Sequence, residues 1–334
     1  MKLNLQTIQA ITLGAVRVTQ EEDGIHFYRF TSRQEELYKN RCDEFYLKSF
    51  ATSGIQLSFQ TDSQSLFLKV EVAPGSSRRY FAFDVFVNGE KIDALDNYSD
   101  LDLPENYASI PASLGKFEKT FSLGSGSKTV CIYLPWSVQA TIQEMRLDAG
   151  SVVTPVKPAK KLLCLGDSIT QGYDALSPSN KYASRLARFL DAEEYNKAIG
   201  GEVFFPELVR EKENFEPDYI TVAYGTNDWN SSTESEFIQN CTAFFENLHA
   251  NYPQTKTIVI TPLWRKEKEE YRVFGEFANI EKRIRNTVQK YENMTVISGF
   301  DLVEPDTKWF GDLRLHPSDH GFQQYFENLV KYIQ

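Results

Sequence analysis

The sequence predicts two units in series: an all-β sandwich or jelly roll, then a three-layer α/β unit built on a parallel sheet. Three observations carry this. Up to about residue 150, apolar residues alternate at period two. Beyond it, short apolar runs alternate with amphipathic helical stripes. Between them, residues 151–159 hold two prolines and read as a linker. The expected boundaries are therefore 1–150 for the β unit, 151–159 for the linker and 160–334 for the α/β unit. At roughly 100–200 residues per domain, a chain of 334 residues has room for two.

In the first unit, Ile55, Leu57 and Phe59 open the alternation, and Leu66, Leu68, Val70 and Val72 continue it. Phe81, Phe83, Val85 and Val87 repeat it and end at Asn88-Gly89, a strong hairpin signal. Residues 129–136 and 140–150 read as further strands, and the glycine and serine clusters at 74–79 and 123–128 as turns. The pattern predicts roughly 8 to 10 strands and no helical stretch longer than about ten residues.

In the second unit the strands are expected at 161–166, 218–225, 256–262 and 294–300. Helical stripes run through Tyr182, Leu186 and Leu190, and through Phe237, Cys241, Phe244 and Leu248. Another joins Phe277, Ile280, Ile284, Val288 and Tyr291, and the last joins Phe322, Phe326, Leu329 and Ile333. Strand–helix alternation of this kind predicts a parallel sheet covered on both faces.

Composition narrows the function. A net charge of −10 argues against nucleic acid or an anionic membrane surface as partner. No run of about 18 apolar residues suggests a membrane span. Cys42, Cys131, Cys164 and Cys241 are scattered without metal-ligand spacing, and so are the four histidines, so no metal is expected. Residues 1–14 lack a leader pattern. Together with the cysteines, this predicts a cytoplasmic protein, or a secreted one if a leader has been removed.

Ligands of such sheets bind beyond the carboxyl ends of the strands, so the residues just past each strand are the candidates. Ser168 follows Gly166-Asp167 and is either a helix cap or a nucleophile. Asn227, in the segment Gly225-Thr226-Asn227-Asp228, either forms a turn or aims its side-chain amide at an oxyanion. Gly200-Gly201 offers close backbone approach. His316 precedes Pro317, which favours an extended loop from which a general base reaches the sheet edge. His320 falls in the first turn of the last helix and reads as structural.

These four blocks, in this order over residues 160–334, resemble the SGNH (GDSL-like) hydrolase family. Preceded by a β-rich half, the chain is similar in architecture to two-domain carbohydrate esterases. The resemblance implies a flavodoxin-like α/β domain with Ser168 as nucleophile and His316 as base. It implies oxyanion donors at the Ser168 N–H, the Gly201 N–H and the Asn227 amide, with Gly200 as the alternative glycine. The family carries an aspartate three residues before its histidine, where this sequence has Leu313. Asp312, one residue earlier, becomes the third member if an added loop residue is absorbed. The alternatives are a dyad, or Asp319 as the third member.

The chemistry implied is removal of acetyl or another short acyl group from an oligosaccharide ester, with no cofactor. Trp229, Trp264 and Trp309 follow strands or precede the histidine loop, so together they suggest a platform for a sugar ring. Arg265 is a candidate for a sugar hydroxyl or a carboxylate, or else forms a surface salt bridge. Trp136, ending residues 133–136, is the β unit's candidate contact. A general short-chain esterase or thioesterase, and an inactive carbohydrate-binding protein, are the competing functions.

Overall fold

In the computed structural model, which describes residues 1–333, the β unit is a sandwich of two antiparallel sheets. One sheet runs in the order Thr12–Leu13, Gln56–Thr61, Lys128–Tyr133, Ala82–Val87, Glu90–Asp96, and Thr154–Pro155 adds to Gln56–Thr61. The other runs Arg17–Gln20, Ile25–Tyr28, Val138–Leu147, Ser65–Pro74, Gly115–Ser122. The alternating residues do what their period demands. Leu57, Phe59, Phe83, Val85, Val130 and Ile132 from one sheet meet Leu66, Leu68, Val70, Ile142 and Met145 from the other in one dry core. The hairpin at Asn88-Gly89 forms, with both residues left-handed (φ 51° and 87°) and Val87 paired to Glu90.

The structure adds two features to the sequence expectation of a linker and of no helical stretch longer than about ten residues. The 151–159 segment is not free, because Thr154 and Pro155 pair with Gln60 and Phe59. Three short helices also precede the main strands: Leu5–Ile11, Ser32–Arg41 and Asp43–Ser49. The second carries a capping box that the sequence displays: Thr31 Oγ1 accepts from the Gln34 N–H, and Gln34 Oε1 accepts from the Thr31 N–H. Phe30 and Tyr38, from this early region, are buried in the core of the α/β unit, not of the sandwich.

The α/β sheet is wholly parallel, in the order Ala192–Asn196, Lys160–Gly166, Tyr219–Ala223, Lys256–Ile260, Met294–Ile297. Its first strand in space, Ala192–Asn196, is the most polar and shows only as a short β-like segment in the sequence. Alternation assigns the faces. Leu163, Leu165, Ile220 and Val222 pack with helices Glu234–Asn251 and Ala278–Val288. Leu162, Cys164, Ile258 and Ile260 pack with Tyr182–Leu190 and Asp319–Leu329. In the last helix the buried stripe is Phe322, Tyr325 and Leu329; Phe326 lies half-buried against the exposed Phe189. No helix among the described residues is long and apolar enough to cross a membrane.

The strand order places Lys160–Gly166, second from one edge, between neighbours whose connections run to opposite faces, leaving a crevice beyond its carboxyl end. A buried ion pair braces this edge. Lys181 Nζ contacts Glu194, which also accepts from Ser184 Oγ (2.7 Å) and Asn196 Nδ2 (2.9 Å). Both charged side chains are fully enclosed. Glu194→Gln leaves the Lys181 ammonium buried without its counter-charge and is expected to cost about 3–5 kcal/mol, read as a lower midpoint in urea unfolding.

Candidate active site

Ser168 begins a single helical turn, Ser168–Gln171, just past the end of strand Lys160–Gly166. The sequence leaves open whether it caps that turn. It does not: Asp167 is the cap, with its carboxylate accepting the Ile169 N–H at 3.0 Å. Ser168 Oγ instead lies 2.8 Å from His316 Nε2. On the other side of the ring, His316 Nδ1 is 2.7 Å from Asp312 Oδ2.

The aspartate reaches this position because the loop absorbs the extra residue. Leu313 adopts a left-handed conformation (φ 57°), unusual for a non-glycine residue, and turns the chain back. Asp312 Oδ1 then accepts the N–H groups of Arg314 (3.0 Å), Leu315 (2.7 Å) and His316 (3.0 Å). The Gly311 N–H donates to the His316 carbonyl at 2.8 Å and closes the loop. Burial alone would raise the Asp312 carboxyl. The hydrogen bond and charge of His316 and the loop N–H groups outweigh it and hold the carboxyl below the usual range. Asp319 is not at the ring; it is the first residue of the last helix, which Ser318 caps. His320 is exposed on that helix.

The donor side is built from two turns. Gly201 is left-handed (φ 90°). Neither its N–H nor that of Ser168 has a protein acceptor among the described residues. Gly200 is the wrong glycine for this role, because its N–H is spent on Gln171 Oε1 at 2.8 Å. Asn227 donates one amide hydrogen to the Glu202 carbonyl at 2.9 Å, and its second hydrogen is left over.

Tyr173 and Asp174, beside the site, give no sequence signal. The Tyr173 ring packs 5.2 Å from the His316 ring, with Trp136 4.9 Å behind it. Trp136 is therefore a support, its Nε1–H donating to the Ala175 carbonyl at 2.8 Å, and not a substrate contact. Asp174 Oδ2 lies 3.6 Å from His316 Nδ1, so two carboxylates face that nitrogen. Asp174, Asp312 and His316 have the donor types of a metal site. A cation already serves Asp174, however: Arg78 donates to both its oxygens (2.7 and 3.1 Å), and Tyr80 Oη donates to Oδ1 at 2.8 Å.

The expected sugar platform is only partly there. Trp229 has no exposed surface. Its ring lies between Arg265 and Arg272, and its Nε1–H donates to the Gly275 carbonyl at 2.8 Å. The short helix Asp228–Ser231 turns it inward. Arg265 is likewise 1% exposed, donating through Nε to Glu267 and through Nη1 to Thr226, so it forms a buried pair and not a surface one. Trp264 and Trp309 remain half-buried, the first against Phe310, the second bonded to Glu304.

Residues 164–324 match the model of the GDSL-like lipase/acylhydrolase family. No curated protein matches the chain. Among solved structures, a salicylyl-acyltransferase from a tetracycline biosynthetic pathway is similar, with 20% identity and a TM-score of 0.80 over 96% of this chain and 93% of that one. A family two carbohydrate esterase from Clostridium thermocellum in complex with cellohexaose has 14% identity and a TM-score of 0.66 over 96% and 98%. An acetyl xylan esterase from the rumen bacterium Butyrivibrio proteoclasticus has 15% identity and a TM-score of 0.63 over 100% and 97%. At these identities the likeness is one of fold.

Burial pushes the Asp228 carboxyl up to about 7. The unfolded chain ionises this group near pH 4. Its stabilising proton is therefore held below that pH and lost progressively as pH rises to about 7. Asp228→Asn keeps an acceptor for the Phe204 N–H (3.2 Å) and removes the titration. Its melting temperature is expected to exceed that of the unsubstituted protein by a few degrees at pH 8 and to match it at pH 4, in thermal scans at both values.

Proposed function

We propose, from a chain whose residues 164–324 form a GDSL-like lipase/acylhydrolase domain, that this protein is a serine carboxylic ester hydrolase removing acetyl or other short acyl groups from a saccharide. The observation that carries the catalytic part is the unbroken hydrogen-bonded series Asp312–His316–Ser168, with spacings of 2.7 and 2.8 Å, beside two uncommitted backbone N–H groups.

The roles follow from proton bookkeeping. Ser168 Oγ attacks the ester carbonyl while His316 Nε2 takes its proton. The carbonyl electrons move onto oxygen, where the N–H groups of Ser168 and Gly201 and the free Asn227 hydrogen offer three donors. His316 returns the proton to the leaving alcohol, and water repeats the sequence on the acyl-enzyme. Asp312 fixes the Nδ1–H tautomer and balances the imidazolium. The 2.7 Å contact between Asp312 and His316 supports the active reading over an inactive carbohydrate-binding protein. Support for a saccharide comes from the cellohexaose-bound and xylan-directed structural neighbours and from the two half-buried tryptophans, without Trp229. The acyltransferase neighbour supports a second reading, in which an alcohol replaces water as acceptor.

The test is a panel of p-nitrophenyl acyl esters and acetylated xylo- and cello-oligosaccharides, with and without a competing alcohol. Ser168→Ala is expected to lose at least about 10³-fold in kcat, and Asp312→Asn about 10²- to 10⁴-fold. Equal hydrolysis by Ser168→Ala and the unsubstituted protein overturns the proposal, and ester product formed on the added alcohol selects transfer.

A further inference from the structure

We infer that Lys48, on a helix outside the α/β domain, sets the orientation of the Gly200–Gly201 peptide and so aims the Gly201 N–H into the oxyanion site. The inference rests on the proposed role of Gly201 as an oxyanion donor.

The Gly200 carbonyl and the Gly201 N–H belong to one planar trans peptide, so they point in opposite directions. Whatever grips the carbonyl fixes where the N–H points. Lys48 Nζ donates to Gly200 O at 2.8 Å. Its ammonium is held 2.5 Å from Glu44 one turn earlier in helix Asp43–Ser49. Lys48 is 6% exposed, so this contact is poorly screened by water. A Cβ placed on Gly201 would lie 3.7 Å from Nζ, so the cation sits close beside this turn.

A clamp is needed because a Gly-Gly peptide is the one most easily flipped: neither flanking residue carries a Cβ to penalise the alternative φ and ψ. The flipped peptide would present a carbonyl oxygen to the developing negative charge. A cation on the carbonyl opposes that flip and also polarises the peptide, strengthening the N–H as a donor. The neighbouring atoms are held as well. Gln171 takes the Gly200 N–H, the Glu202 N–H donates to Ile199 O (3.1 Å), and Arg41 pairs with the Glu202 carboxylate. Among these contacts, only that of Lys48 acts on the peptide whose N–H is uncommitted. Lys48 does not touch substrate in this scheme; it is a positioning residue.

The experiment compares Lys48→Met, Lys48→Arg and Lys48→Cys before and after alkylation with 2-bromoethylamine, which restores an ammonium at nearly the lysine position. The unsubstituted protein, treated identically, controls for the other cysteines. Each form is assayed for kcat and KM on p-nitrophenyl acetate and for inhibition by a boronic acid that forms a tetrahedral adduct with the serine. Lys48→Met is expected to lower kcat by about 10- to 100-fold with KM within about threefold, and to weaken boronate binding by a similar factor. Lys48→Arg and the alkylated cysteine form are expected to recover most of both losses. A purely structural role would lower stability without this matched loss, and would not respond to alkylation of an already folded preparation. If Lys48→Met does not fold, the cysteine form supplies the same comparison within one preparation. Retention of kcat and boronate affinity within about twofold by Lys48→Met, or by the unalkylated cysteine form, overturns the inference. That result differs from failure of the underlying reading, in which Ser168→Ala would hydrolyse the ester as well as the unsubstituted protein.

Discussion

The guanidinium of Arg29 is the interaction on which the arrangement of the site depends. It is 1% exposed and has no carboxylate partner among its hydrogen bonds. A buried cation without a counter-ion is tolerated only where its donors are saturated. Here all three nitrogens donate to carbonyls from two distant stretches: Asn196 (2.8 Å) and Ala198 (2.9 Å) on one side, Lys48 (3.2 Å) and Ala51 on the other. Burial lowers its pKa to about 9, a measure of how little water helps. Because the guanidinium fork is rigid, it fixes the exit of strand Ala192–Asn196 against the end of helix Asp43–Ser49. The turn at Gly200 begins two residues after one of those carbonyls, and Lys48 supplies another. The geometry of the donor side is thus set by a charge that takes no part in the chemistry.

The histidine side is held by the same half of the chain through different contacts. The Tyr107 N–H donates to the Gly311 carbonyl at 2.7 Å, steadying the loop that carries Asp312 and His316. Arg78 and Tyr80 grip Asp174, and Trp136 backs Tyr173 against the imidazole. The N-terminal half therefore buttresses both sides of a crevice whose proposed reacting atoms all belong to the α/β unit. Site contacts that come from before residue 150 position groups and do not react, which explains why that half carries no motif of its own.

Much of this was legible in the sequence, for physical reasons that also mark where legibility stops. Strands with strict period two and helices with apolar stripes announce themselves locally, and Ser168, Asn227 and His316 stand where strand ends or a proline place them. Leu313 shows how a one-residue offset is reconciled: a single left-handed residue shortens the path, so Asp312 meets His316 despite its spacing. Trp229 misleads because a position just past a strand does not fix the direction of a side chain, and one short helical turn sends it into the core. Arg29, Lys48 and Arg41 were silent because their partners in the α/β unit, Asn196, Gly200 and Glu202, lie well over a hundred residues away, where no local period reports them.

A last regularity concerns charge. Each proposed oxyanion donor has an acidic neighbour in sequence: Asp167 before Ser168, Glu202 after Gly201, Asp228 after Asn227. Three buried negative charges beside a site that must accept a fourth would raise the barrier they surround. The protein resolves this in two ways. Glu202 is matched by Arg41, a cation brought from the first fifty residues. Burial pushes Asp167 and Asp228 up to about 7, so that each tends to shed its charge and yet accepts a backbone N–H, from Ile169 and Phe204. Short acidic side chains are well suited to ending strands and capping turns at this sheet edge, and their electrostatic cost is met by neutralisation in two cases and by Arg41 in the third. On the proposed roles, the N-terminal half would serve the oxyanion twice: Lys48 would aim a donor at it, and Arg41 pairs with Glu202, whose charge would oppose it.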